Sequence, residues 1–66
     1  MKDLIKAEII ERYLQENNIS KTKFCKLCKI NIKTLNKILS NNTNFELIAL
    51  FRIANVINVQ VYQMFN

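Results

Sequence analysis

Apolar side chains recur at helical spacing along nearly the whole chain. Leu4, Ile5, Ile9, Ile10, Tyr13 and Leu14 form one stripe, which predicts a first helix over about 4–15. Asp3 is its expected N-cap, and Asn17-Asn18 is expected to end it, because asparagine tolerates left-handed backbone better than other residues with a side chain. Ser20 predicts the next N-cap and a second helix over about 21–28, burying Phe24, Cys25 and Cys28. Lys29-Ile30 makes a turn, Asn31 caps a third helix over about 32–39, and Asn41 and Asn42 end it. Asn44 is read as the cap of a fourth helix over about 45–57, with Glu46 in the first turn, where the helix dipole favours an anion. Asn58 closes that helix, and a short fifth helix follows over about 60–65. The stretch NVINVQVYQMF also alternates as a strand would, but Val59, Val61, Met64 and Phe65 suit a turn and a half of helix equally.

At 66 residues, half of them hydrophobic, the chain is sized for a single domain spanning 1–66 and has enough apolar side chains for a core. A chain this short buries only about 60% of the surface its unfolded form exposes, so a partner subunit would add stability. No apolar run reaches the roughly 20 residues a membrane-spanning helix needs. The beginning, MKDLIKAEIIERYL, alternates charge with apolar residues and is not a signal peptide. Both features point to the cytoplasm. The abundance of isoleucine, asparagine and lysine suggests AT-rich coding, as in low-GC bacteria and their phages.

The formal net charge is +5, and its placement changes the picture more than its size. Lys21, Lys23, Lys26, Lys29, Lys33 and Lys37 lie within seventeen residues, and no acidic residue occurs between Glu16 and Glu46. A one-sided basic block suits a polyanion, although it is also what a solvated lysine-rich face looks like. At about 100° per residue, the third helix turns Leu35, Ile38 and Leu39 to one side. Lys33, Asn36 and Lys37 fall on the other, with Ile32 at the edge. Asparagine can pair with adenine, lysine can donate to guanine, and an apolar tip can meet a thymine methyl. Any amphipathic helix shows polar residues outward, so this face does not decide the matter by itself.

The C-x-x-C pair, Cys25 and Cys28, offers metal or redox chemistry at first sight. Zinc needs about four ligands, and the chain has no histidine and no third cysteine. A thioredoxin-like motif needs a preceding strand that is not predicted here. Two small hydrophobes under a helix is the favoured reading. A redox switch and a metal shared between two subunits stay open. No cofactor is expected, and no residue set supports catalysis.

A helix, a turn of about three residues, and a second helix whose first half carries base-reading side chains form a helix-turn-helix. Here the chain resembles the phage-repressor and Cro type of helix-turn-helix protein, also called the xenobiotic-response-element family. ISKTKFCKLCKINIKTLNKIL carries the resemblance, NFELIALFRIANVINVQVYQMF follows it, and together with the first helix the match covers about Ile10 to Phe65. Phe24 and Cys25 stand where the family has Leu-Ala, Cys28 where it has a small or branched apolar residue, Ile30 where it has valine, and Leu35 at its apolar position inside the third helix. Leu50, Ile53, Ala54, Ile57 and Val59 fit the family's tail pattern. Three positions depart from it. Lys29 replaces the usual turn glycine. Lys21 replaces a common glutamine. Leu14 and Leu39 replace an Arg–Glu pair, a double change that leaves no charge unpaired and that a core tolerates.

The resemblance implies an all-α, five-helix, lambda-repressor-like DNA-binding domain. Its expected function is sequence-specific binding of double-stranded DNA as a small transcriptional regulator, a repressor in the first instance. With no room for a sensor domain, occupancy would follow concentration or a partner. Ile32, Lys33, Asn36 and Lys37 would approach base edges. Lys21, Lys29 and Asn42 would hold phosphates, while Lys23 and Lys26 add to the field. A homodimer through the C-terminal segment is expected, since Val61, Tyr62, Met64 and Phe65 cannot all face one small core; no membrane or small-molecule ligand is. The alternative keeps the fold but turns it on a protein, as an antirepressor or antitoxin-like partner. A basic amphipathic membrane peptide fits less well, because the lysines are spread over two short helices rather than one long one.

Overall fold

The structure, a computed structural model, describes residues 4–42 and 44–66. It is all-α: α1 (Ala7–Asn17), α2 (Lys21–Cys28), α3 (Ile32–Leu39), α4 (Leu47–Ile57) and a closing 3-10 turn over Val61–Met64. The second and third helices fall where the local signals place them. The Ser20 hydroxyl oxygen accepts from the Lys23 N–H at 3.1 Å, and Asn31 Oδ1 accepts from the Lys33 N–H at 2.7 Å.

Three expectations are corrected. The first helix starts at Ala7 rather than Leu4, because Leu4–Lys6 pairs with the end of the chain instead. The Lys6 N–H donates to the Met64 carbonyl at 2.8 Å, the Asn66 N–H donates to the Leu4 carbonyl at 2.9 Å, and Ile5 bridges Phe65 in antiparallel sense. The expected cap Asp3 lies outside the described residues. Second, Asn44 does not cap α4. Its N–H donates instead to Asn42 Oδ1 at 3.0 Å, and the helix begins after Glu46, which takes the cap position without a side-chain bond. Phe45, just before that cap, is half-buried on the same core as Leu50 inside the helix, a hydrophobic staple in position. Third, the fifth helix is four residues of 3-10 turn, tied by Gln63 Oε1 accepting from the Gln60 N–H at 2.8 Å.

All elements contribute to one core, in which Ile5, Ile10, Phe24, Leu35, Ile38, Leu50, Ile53 and Met64 are fully buried. Leu14 is buried and Leu39 half-buried on that core. Of the four C-terminal apolar residues, Met64 is buried, Val61 and Phe65 are half-buried, and Tyr62 is left exposed.

A chain without glycine must turn corners with other residues. Each helix is followed by one at positive φ: Asn18 (51°), Lys29 (59°), Asn41 (60°) and Asn58 (62°). The next residue then donates back across the helix end, Ile19 to Leu14, Ile30 to Cys25, Asn42 to Lys37 and Val59 to Ala54, at 2.9–3.1 Å. These are Schellman-type closures, which satisfy carbonyls a helix end otherwise leaves open. Asn41 does more. Its side-chain oxygen accepts from the Ile5 N–H at 2.6 Å, and its side-chain amide donates to the Ile5 carbonyl at 3.1 Å. One side chain thus pairs with Ile5 as a neighbouring strand would, fastening the N-terminal segment to the loop after α3.

Candidate nucleic-acid interface

Helices α2 and α3 are joined by Lys29, Ile30 and Asn31. The joint is fixed from three sides. Lys29 sits at φ 59°, ψ 44°; Ile30 is half-buried on the core; and Asn31 caps α3. On the fourth side Arg52 Nη1, from α4, donates to the Lys29 carbonyl at 2.8 Å. The inward face of α3 buries Leu35 and Ile38, so its roll is set by packing.

That roll leaves Lys33 and Asn36 exposed on α3, and Ile32 is 40% exposed at its first position. Lys37 is less exposed than Lys33 and Asn36. It is half-buried and, with Thr34, lines a cleft of about 490 Å³ between the α2–α3 turn and the start of α4. Lys29, Asn44, Glu46 and Arg52 line the same cleft. The structure therefore brings Lys29 and Lys37 together. Lys21, exposed at the first position of α2, and Asn42, exposed beyond α3, lie outside that cleft. Arg52 is not legible in the sequence as part of this region. Its helix is recognised by apolar spacing, and its partner is a backbone carbonyl 23 positions away, which no side-chain pattern encodes.

Cys25 and Cys28 are buried free thiols. Burial pushes Cys25 up, and burial together with the neighbouring Cys25 pushes Cys28 up to about 11. Neutral thiols are weak nucleophiles and poor metal ligands. Among the described residues no cluster of three or more candidate metal ligands exists. Thiol labelling at pH 8 is expected to be slow for both residues until urea opens the fold. Because the folded-state values lie above the ordinary thiol range, these thiols contribute stability at neutral pH. For Cys28 that contribution is lost as pH rises from about 9 through 11, so a urea midpoint that rises over this interval would contradict the assignment.

No helix among the described residues is long and apolar enough to cross a membrane. In comparisons with known proteins, no family model matches the chain, and no curated protein matches it significantly.

Proposed function

We propose that this chain is a small sequence-specific DNA-binding regulator whose α2 and α3 act as a helix-turn-helix, with the 3-10 turn standing for the family's fifth helix. The observation that carries the reading is α3 itself. It is capped, rolled by its buried Leu35 and Ile38, and has Ile32, Lys33 and Asn36 exposed on its outer side beside a lysine block. In this reading α3 enters the major groove, and Lys33 and Asn36 meet base edges, with Ile32 against a thymine methyl and Lys37 at the margin. Lys21, Lys29 and Asn42 hold phosphates, which fix register without reading sequence.

The test compares substitutions on the purified protein after selection of a preferred duplex. Lys33→Ala should cost about 1–3 kcal/mol and relax preference at one base pair. Lys21→Ala should weaken all duplexes and lower the salt slope by about one unit. Lys6→Ala, outside the block, controls for net charge. Equal losses at Lys6 and Lys33 with an unchanged preferred sequence would reduce α3 to a charged face.

The proposed partner is a second copy, pairing two α3 helices roughly 34 Å apart along the duplex. Support comes from a groove of about 400 Å³ between α4 and the 3-10 turn, flanked by Phe51 and Tyr62, which are 55% and 74% exposed. Sedimentation should give a dimer for the parent and a monomer for Tyr62→Lys; a parent that stays monomeric free and on DNA rejects the pairing. Exposed Leu47, Ile48 and Phe51 on α4 favour a second reading, in which the fold docks on another protein. A protein contact that survives loss of charge at Lys33 and Lys37 would select it.

A further inference from the structure

We propose that the cleft between the α2–α3 turn and α4 is a binding site for a phosphate group, with Arg52 as its fixed ligand. Lys29, Lys37 and Arg52 face it against a single carboxylate, Glu46, and Thr34 and Asn44 add neutral donors. No ion pair neutralises these cations among the described residues. A concave surface lined mainly by one sign of charge concentrates its potential inward, and about 490 Å³ is room for a sugar-phosphate unit.

Arg52 is held for this task. Nη1 is bonded to the Lys29 carbonyl, which anchors the planar group and leaves its other N–H donors for an anion. A guanidinium fork matches two phosphate oxygens, and a tethered one loses little freedom on binding. The identity of Lys29 supports the same site. The other three positive-φ helix ends carry asparagine, the easier residue there; lysine stands only at the end that opens onto the cleft. Backbone geometry gives no reason for lysine at this position, whereas an anion in the cleft does.

Two sources share this chemistry, the DNA backbone and a free phosphorylated compound. The first rests on the DNA-binding reading above; the second does not. In one arm, the folded chain labelled with nitrogen-15 is titrated with pyrophosphate against sodium chloride at matched ionic strength. Saturable shifts of the Arg52 side-chain N–H and the Lys29 and Thr34 amides are expected, and Arg52→Gln should abolish them at Lys29 and Thr34. In the other arm, Arg52→Gln should weaken every duplex several-fold and lower the salt slope by about one unit, with the preferred sequence unchanged. Arg52→Lys should restore only part of each effect. Lys29→Asn, a residue that suits the positive φ there, repeats both arms in case Arg52→Gln does not fold, with the pyrophosphate shifts read at Thr34.

Both effects together assign the cleft to a backbone phosphate, and pyrophosphate shifts with an unchanged DNA slope assign it to a free phosphate compound. A cleft silent to pyrophosphate with an unchanged DNA slope overturns the site, even where Lys33→Ala still alters base preference. A parent that binds no duplex sinks the DNA reading alone, because the pyrophosphate arm still reports on the cleft.

Discussion

Asn41→Ala is expected to destabilise the protein by about 3–5 kcal/mol, more than its half-buried surface position suggests. The Asn41 side chain supplies one acceptor and one donor to Ile5, whose side chain is fully buried and whose backbone has no strand beside it on that edge. Each polar group left unpaired away from water costs about 1–3 kcal/mol. Alanine must also hold φ at 60°, a further cost of about 1–2 kcal/mol. Asn41→Gly separates the two contributions. It removes the backbone cost and keeps the lost pairing, so it should fall about 2–3 kcal/mol below the parent. The measurement is urea unfolding with amide exchange. The Ile5 and Lys6 amides should exchange faster in both variants, ahead of α4. An Asn41→Ala variant within about 1 kcal/mol of the parent would show that the pairing contributes little.

Phe24→Ala should leave much of the population unfolded at 37 °C. Phe24 is fully buried in α2, and its ring lies 5.6 Å from that of Tyr13 at a tilt of 53°, joining α1 to the centre of the core. Deleting a buried phenyl ring costs about 3–5 kcal/mol. A chain of 66 residues has only about 3–10 kcal/mol in all, at 0.05–0.15 kcal/mol per residue. Phe24→Leu keeps most of the volume and should cost only about 1 kcal/mol. Far-UV circular dichroism across a thermal ramp distinguishes the two. Equal melting temperatures would mean that the site collapses around the void and that the ring is not central to the core.

What can be read from the chain and what cannot divides by the range of the forces involved. Helices α2 and α3 are legible to the residue because their limits are set within four positions, by Ser20 and Asn31 at the starts and by Lys29 and Asn41 beyond the ends. The start of α1 is hidden because Leu4 and Ile5 do fit a helical stripe. Their backbone is claimed instead by Asn41, 36 positions away from Ile5, and by the end of the chain. The start of α4 is hidden because Asn44 looks like a cap, yet the helix begins only at Leu47, behind Glu46 with no side-chain cap and with Phe45 held on the core. In the candidate site, the exposure of Lys33 and Asn36 follows from helical spacing. The half-burial of Lys37 does not, because it depends on where the distant segment Asn44–Glu46 and the start of α4 are placed beside it.

The four glycine-free helix ends have a consequence for how this protein can change. Each joint holds a residue that tolerates its backbone conformation less well than glycine, at up to about 1 kcal/mol. At Asn18 and Asn58 the chain thus carries correctable inefficiency away from α3, whereas at Asn41 the side-chain pairing with Ile5 outweighs the backbone cost. Damage in the core need not be repaired in the core. Second-site revertants of a destabilised variant such as Phe24→Leu should appear at Asn18 and Asn58, where a change to glycine shortens no side chain that the proposed DNA surface uses. Lys29 should be absent from such a collection if its ammonium has a role, since there the same backbone relief would remove it. The distribution of suppressors across these three joints would therefore separate the demands of folding from those of binding, even before any ligand is identified.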